Sequence, residues 1–199
     1  MLQSIHINSD TAIIVLHEIY GINSFIKQVC KKLFDTGYDI FCPNLLDGSE
    51  LFTYEQSDEA YEAFKRSKFD EKLILIEEII IKLKESYTKV FIIGYSVGAT
   101  LAWCISQNPL LDGIVCYYGS RIRDYLYIRP ECPSLLIFSE KESSFSPHTI
   151  VQTLKKKTNS QVFLLSGKHG FLDPFNHNYN EESSISAEKL TKAFLNQFK

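Results

Sequence analysis

Apolar positions follow two different spacings along this chain. Short, continuous apolar runs rich in Ile, Val, Phe and Tyr are typical of strands that are buried on both faces. Between these runs, apolar residues recur every three or four positions, as in helices with one buried face. The runs predict strands at residues 2–7, 11–16, 38–42, 89–93, 113–117, 134–138 and 161–165. Strands separated by helices favour an α/β protein with a mainly parallel, twisted sheet and helices on both faces.

The helical spacing predicts the elements between the strands. One helix is expected between Ser24, as its N-cap, and Gly37, as its C-cap. Further helices are predicted at residues 55–66, 70–86, 99–103, 148–157 and 187–198. In the helix at 55–66, Ala60, Tyr61 and Phe64 are expected to face inward.

Composition and charge restrict the function classes. The chain has 199 residues, of which 45% are apolar; this is enough for one substantial core, so we interpret residues 1–199 as a single domain. The formal charge is only −3, with no basic run longer than the three lysines at 155–157. Neither nucleic acid nor an anionic membrane surface is therefore an expected partner. No apolar run approaches the roughly 20 residues that span a bilayer.

The cysteines indicate a compartment. There are five of them, at positions 30, 42, 104, 116 and 132, and no two form a Cys-x-x-Cys pair. With an odd number, wide spacing and no secretory signal at the N-terminus, the chain is expected to be cytoplasmic and reduced. The spacing gives no support to a structural zinc site, and we expect neither a metal nor an organic cofactor.

The sequence Gly-Tyr-Ser-Val-Gly at residues 94–98 follows a strand-like run and precedes small, helix-compatible residues. This context is typical of a nucleophile elbow, a tight strand-to-helix turn that projects a hydroxyl from its apex. The motif is weak alone, because a serine between glycines is commonly a loop residue. Its placement makes Ser96 the candidate nucleophile.

A serine hydroxyl needs a base, and in elbow enzymes the acid and then the histidine follow the serine along the chain. His169 lies in a glycine-flanked loop after the last predicted strand and is the candidate base. The acid should follow the strand at 134–138, where Glu142 is our choice and Glu140 the alternative. A solvated acidic turn is the competing interpretation of these glutamates. The backbone N–H groups of Val97 and Ile19 are the candidate oxyanion-hole donors.

Several segments together resemble one family. These are His-Glu-Ile-Tyr-Gly-Ile-Asn at 17–23, Tyr-Asp-Ile-Phe-Cys-Pro-Asn-Leu at 38–45, the Gly-Tyr-Ser-Val-Gly turn, Cys-Tyr-Tyr-Gly at 116–119 and His-Gly-Phe at 169–171. In this order they resemble dienelactone hydrolases. The resemblance implies an α/β-hydrolase fold without a large lid, hydrolysis of esters or lactones, and a triad of Ser96, Glu142 and His169. It also matches Ile19 and Val97 to the oxyanion-hole amides and Glu18 to a buried glutamate near the nucleophile.

The sequence also departs from that family. Its well-known members carry cysteine as the nucleophile and aspartate as the acid, whereas this chain has Ser96 and Glu142. The arginines that hold a substrate carboxylate are replaced by Ser57 and Asp173. A negatively charged dienelactone is therefore an unexpected substrate, and Glu18 is either structural or faces the substrate.

These observations predict a serine hydrolase that acts on a small carboxylic ester, lactone or thioester through an acyl-enzyme. Aromatic residues are expected to line the substrate pocket beside Glu18, although each is equally suited to core packing. They are Tyr20, Tyr95, Tyr118 and Phe171. The rival hypothesis is a catalytically inactive protein that keeps the fold and binds a small molecule or a partner. The sequence does not decide between a monomer and a homodimer.

Overall fold

The computed structural model describes residues 2–48, 50–66, 68–143 and 145–198. Within them, seven strands form one sheet: β1 (Leu2–Ile5), β2 (Thr11–Leu16), β3 (Asp39–Pro43), β4 (Lys89–Tyr95), β5 (Gly113–Tyr117), β6 (Ser134–Lys141) and β7 (Ser160–Lys168). Their order across the sheet is β1-β3-β2-β4-β5-β6-β7. Only β1 runs antiparallel to its neighbour among these strands, so the prediction of a mainly parallel sheet is confirmed.

The helices of the described residues are α1 (Ser24–Asp35), α2 (Ser57–Arg66), α3 (Phe69–Lys84), α4 (Val97–Ile105), α5 (Pro147–Leu154) and α6 (Glu181–Phe198). Helices α1 and α6 cover one face of the sheet, and α2 to α5 contribute to the core on the other face. Short 3-10 segments precede α2 at Tyr54–Gln56 and follow β5 at Ser120–Tyr125.

The two layers of helices explain the uninterrupted apolar runs. Along β2, Ile13 and Val15 pack in the core under α1 and α6, whereas Ile14 and Leu16 pack in the core on the opposite face. All four side chains are fully buried. Successive strand residues point to opposite faces of the sheet. When both faces are covered by helices, every position of the strand is buried, and the sequence is apolar without alternation.

The boundaries differ from the sequence prediction in ways that have local causes. Asn23, and not Ser24, caps α1, because its side-chain oxygen accepts a hydrogen bond from the Ile26 N–H. The last helix begins at Glu181, six residues before the expected start. Tyr61 was expected to face inward but is 40% exposed, and Ala63 occupies the buried position beside Phe64 instead.

Strands β6 and β7 are both longer than predicted, and this extension matters for the site. They remain paired as far as Lys141 and Lys168, beyond the end of the neighbouring β5. The pairing is irregular between Ser139 and Lys141. The extended pair carries the segments that contain Glu142 and His169, so these two residues meet at the carboxyl edge of the sheet.

No helix in the described ranges is both long and apolar enough to cross a membrane. In the same residues, no group of three or more His, Cys, Asp or Glu side chains has an arrangement that could hold a metal ion. All five cysteines are free thiols.

Candidate active site

The turn between β4 and α4 is held in a strained conformation. Ser96 at its apex has φ 53° and ψ −112°, a region that residues with a side chain rarely adopt. The flanking glycines allow the backbones to approach closely. A Cβ on Gly94 would lie 2.4 Å from the Gly98 carbonyl oxygen, and a Cβ on Gly98 would lie 2.3 Å from the Leu16 carbonyl oxygen. The turn therefore requires glycine at both positions.

A chain of hydrogen-bonded groups connects Ser96, His169 and Glu142. Ser96 Oγ lies 2.9 Å from His169 Nε2. On the other side of the ring, His169 Nδ1 lies 3.0 and 3.1 Å from the two carboxylate oxygens of Glu142. With Nδ1 protonated and facing the carboxylate, Nε2 is free to accept the serine proton.

Neighbouring side chains fix both ends of this chain. The carboxylate of Glu142 is buried and accepts a hydrogen bond from Ser139 Oγ. Asn178 Nδ2 donates to the His169 carbonyl oxygen at 2.9 Å. Glu140, the alternative acid, is exposed and lies 3.3 Å from Ser166 Oγ instead. The geometry therefore brings Glu142, and not Glu140, to the imidazole.

The electrostatic surroundings favour the charged imidazole. Burial alone would lower the pKa of His169, but the hydrogen bond and the charge of Glu142 outweigh it and raise the pKa above its ordinary value of 6.5. Tyr118 packs beside the ring, with its centroid 4.9 Å from that of the imidazole.

The two expected oxyanion-hole amides lie at the same corner of the sheet. Val97 is the first residue of α4, so its N–H has no acceptor within the helix. Ile19 follows β2, whose last residues contact Gly98 in the first turn of α4. In the described part of the chain, no backbone hydrogen bond engages the Ile19 N–H.

With this geometry established, comparison with known proteins identifies the family. The sequence profile of the dienelactone hydrolase family matches residues 4–199. The chain belongs to the dienelactone hydrolase family. This membership supports a hydrolase of the ester or lactone type, as the sequence motifs predicted.

Individual relatives agree with this family. The chain is similar to the uncharacterized protein YczH of Bacillus subtilis (strain 168), with 39% identity over 165 residues that cover 81% of each chain. It is 27% identical to a carboxymethylenebutenolidase of Pseudomonas putida over 135 residues, which are 63% of this chain and 57% of that protein. A dienelactone hydrolase-like promiscuous phosphotriesterase from metagenomic libraries superposes with a TM-score of 0.77 at 16% identity, covering 95% and 87% of the two chains. The fold is that of the α/β-hydrolases.

His17 of this chain has a structural role next to the candidate active site, and the sequence did not predict this role. Its Nε2 accepts a hydrogen bond from the Leu45 N–H at 2.8 Å, and its Nδ1 lies 2.5 Å from the Glu18 carbonyl oxygen. The first contact requires an unprotonated Nε2, so the ring is neutral and carries its proton on Nδ1, which donates to the Glu18 carbonyl oxygen. Complete burial lowers the pKa of His17 to about 4. The ring therefore fixes the backbone that leads into the turn with Ile19.

Glu18 is buried near the candidate triad with unsatisfied hydrogen-bonding capacity. It is 4% exposed, and burial raises its pKa to about 7. The nearby His169 opposes this rise in pKa, and Asp173 adds to it. Tyr118 lies near enough to influence this pKa, but the two groups do not meet in hydrogen-bonding geometry. Within the described residues, neither Glu18 Oε1 nor the Tyr118 hydroxyl has a hydrogen-bond partner.

Asp173 and Tyr54 add a second polar pair that the sequence prediction did not identify as site residues. Asp173 is fully buried and accepts hydrogen bonds from the Tyr54 hydroxyl and from the Phe175 N–H. Burial raises the pKa of Asp173. The ring of Tyr54 contacts that of Tyr20 edge to face, with centroids 4.9 Å apart. Asp173, Tyr54 and Tyr20 thus form an acidic and phenolic wall on this side of the candidate site.

The remaining expected pocket residues occupy different positions. Tyr20 is half-buried beside Tyr54, while Tyr118 and Phe171 are fully buried and pack against each other with ring centroids 5.6 Å apart. Tyr95 lies on the face covered by α1 and α6, where it borders a separate cavity. Tyr118 and Phe171 belong to the same apolar core as Tyr95, and the rings of Tyr95 and Tyr118 have centroids 6.3 Å apart. The place of Tyr95 in the substrate pocket stays a prediction.

Adjacent residues His17 and Glu18 make opposite contributions to pH-dependent stability. Below pH 6.5 the unfolded chain protonates His17, while the folded chain does not until about pH 4, so stability falls as the pH drops. Between about pH 7 and 4.5 the folded chain protonates Glu18 while the unfolded chain does not, so stability rises as the pH drops. Each effect is worth about 3 kcal/mol.

Glu18→Gln should therefore make the protein sensitive to acid. The amide cannot gain the stabilising proton, so the unfolding free energy of the variant should fall by about 3 kcal/mol more than that of the wild type between pH 7 and 4.5. Urea unfolding at the two pH values measures this difference. Glu59→Gln, at an exposed position of α2, is the matched control. Equal pH dependence of the two variants would contradict the prediction.

Proposed function

We propose that this protein is a serine hydrolase that cleaves a small, uncharged carboxylic ester, lactone or thioester through an acyl-enzyme. One observation carries the proposal: Ser96 Oγ lies 2.9 Å from His169 Nε2 at the apex of a strained turn, and Glu142 contacts the other nitrogen of the ring. A structural serine and histidine need neither this alignment nor the backbone strain.

In the first half-reaction, His169 Nε2 takes the proton from Ser96 Oγ as this oxygen bonds to the carbonyl carbon of the substrate. The carbonyl electrons move to oxygen, and the N–H groups of Val97 and Ile19 are the proposed donors to that oxyanion. When the intermediate collapses, the bond to the leaving group breaks and His169 delivers its proton to the departing oxygen or sulfur. The acyl group remains on Ser96.

In the second half-reaction, a water molecule replaces the leaving group. His169 removes a proton from the water, its oxygen attacks the acyl carbon, and the Ser96 oxygen leaves with the proton from His169. The products are a carboxylic acid and an alcohol or thiol, or one hydroxy acid from a lactone. Glu142 orients the imidazole and stabilises its charged form in both steps.

The acidic and phenolic wall supports an uncharged substrate. Asp173 is fully buried, and Glu18, with a pKa of about 7, is partly ionised near neutral pH. A carboxylate on the acyl group would be repelled by these side chains in a poorly solvated site. A hydroxyl group or another hydrogen-bond donor on the substrate would instead find an unpaired acceptor at Glu18 Oε1.

A fluorophosphonate probe tests the nucleophile. The wild type should be labelled on Ser96, because phosphonylation needs an activated serine, and Ser96→Ala should abolish the labelling. His169→Ala should slow it by at least about a hundredfold. Mass spectrometry of the labelled peptide identifies the site. An unreactive Ser96 in the folded wild type would favour the inactive, ligand-binding alternative.

The pH dependence of ester hydrolysis tests the acid. Neutral His169 is the active form and its pKa is raised by Glu142, so kcat/KM should fall as the pH drops through a value above 6.5. Glu142→Gln should move this acid limb to lower pH, because it removes the charge that raises the pKa, and should lower kcat. Glu140→Gln is the matched control and should leave the acid limb of the pH profile and kcat unchanged. An effect of Glu140→Gln as large as that of Glu142→Gln would overturn the assignment.

The charge of the acyl group tests the substrate class. The kcat/KM for p-nitrophenyl butyrate should exceed that for mono-p-nitrophenyl succinate, which is of similar size and carries a carboxylate, by at least about tenfold. Asp173→Asn should lower this ratio of the two kcat/KM values, because the amide keeps a hydrogen-bond acceptor but removes the charge. Glu59→Gln serves again as the control. A ratio near one in the wild type would contradict the role of the acidic wall.

A further inference from the structure

A cavity of about 500 Å³ lies between α1 and α6, above the central strands of the sheet. We propose that it is a second binding site, whose ligand is an apolar monocarboxylate such as a medium-chain fatty acid. Its lining includes none of Ser96, His169 and Glu142, so it is distinct from the candidate active site.

Apolar groups dominate the walls of this cavity. Helix α1 contributes Phe25, Val29 and Leu33, and Leu195 of α6 lies among the residues of the other wall. Ile93, Tyr95 and Tyr117 of the central strands form its floor. The rings of Tyr95 and Tyr117 stack on each other with centroids 4.9 Å apart, and both side chains are nearly buried beneath the cavity. An organic ligand would find apolar contacts on three sides.

The two helices do not close over the sheet. Across the mouth, Lys32 of α1 and Glu188 of α6 form an ion pair at 2.5 Å, and both side chains are well exposed. The space between the helices is thus a cleft that is open to solvent at the mouth and lined by apolar side chains further in. Its volume lies within the range of about 300 to 1,000 Å³ that is typical of ligand pockets. Water against these walls would be displaced favourably by an apolar molecule.

The charged side chains at the mouth of the cavity favour a ligand with a negatively charged head group. Lys32, Glu188 and Lys192 all border the cavity and together carry one net positive charge. Glu188 pairs with Lys32, while Lys192 has no ion-pair partner within the described residues. A carboxylate at the mouth would pair with Lys192 while its chain enters the apolar interior. Long lysine side chains suit this position because their stems can follow the apolar chain.

Two buried polar side chains of the lining already satisfy each other. The buried Tyr117 hydroxyl and Thr191 Oγ1 are hydrogen-bonded to each other. Because this pair is already hydrogen-bonded, it offers no partner to a second charged group, and a ligand with a single polar end is favoured. An apolar chain of on the order of twelve carbons is compatible with the volume.

The floor of the cavity connects directly to the elbow. Tyr95 precedes Ser96 in the chain, and the Ser96 N–H donates to the Tyr117 carbonyl oxygen at 2.9 Å. Leu172, also in the lining, precedes Asp173 of the acidic wall. A bound ligand would thus contact the opposite side of the same strands that hold the candidate nucleophile. Binding itself does not require the proposed hydrolysis.

Displacement of the fluorescent fatty acid dansylaminoundecanoic acid tests the site. Dodecanoate should displace the probe saturably from the wild type, at least about tenfold more tightly than dodecanol or dodecyltrimethylammonium. Lys192→Glu should weaken dodecanoate by about tenfold and leave dodecanol nearly unchanged. Lys189→Glu, on the same helix but outside the lining, is the matched control and should have little effect.

A second pair of variants locates the chain of the ligand. Val29→Trp should fill the cavity and weaken all three compounds by at least about tenfold, whereas Gln28→Trp, at an exposed position of α1, should not. Thermal unfolding by circular dichroism checks that both variants are folded. Three results would overturn the proposal: no saturable binding, equal effects of the two lysine variants, or equal affinity for all head groups. Should Val29→Trp fail to fold, the comparison of Lys192→Glu with Lys189→Glu still decides the assignment.

Discussion

The close approach of the first turn of α4 to the end of β2 is the constraint on which the rest of the site depends. The backbone at Gly98 lies so near Leu16 that a methyl group at this glycine would overlap the Leu16 carbonyl group. This approach holds the first helical N–H, that of Val97, beside the turn that carries Ile19. It also fixes the strained conformation of Ser96 at the junction of β4 and α4. A looser contact would separate the candidate nucleophile from both candidate donors.

The other half of the site depends on two strands that continue past their neighbours. Because β6 and β7 remain paired to Lys141 and Lys168, the residues that follow them emerge side by side. Glu142 and His169 are 27 positions apart in the chain, yet they meet through this pairing. The elbow and the extended strand pair then meet at a single carboxyl edge, as expected of ligand sites in open parallel sheets.

Sequence reasoning predicted most of the architecture because the apolar runs are continuous and the turns between them are well marked. Ser96 and His169 could be chosen as candidates because a nucleophile elbow and a glycine-flanked histidine have local signatures. The sequence could only favour Glu142 over Glu140 as the acid, because residues two positions apart in a regular strand point to the same face. The irregular pairing near Ser139 gives the two side chains different directions, and the sequence does not reveal it. The pair of Tyr54 and Asp173 has no local signature, because 119 positions separate its members.

The strain at Ser96 has a consequence for the stability of this chain. A positive φ at a residue with a side chain costs on the order of 1–3 kcal/mol, and glycine would adopt the same turn with less strain. The hydroxyl at the apex of this turn is therefore held at a cost to the free energy of folding, which a glycine in the same conformation would largely avoid.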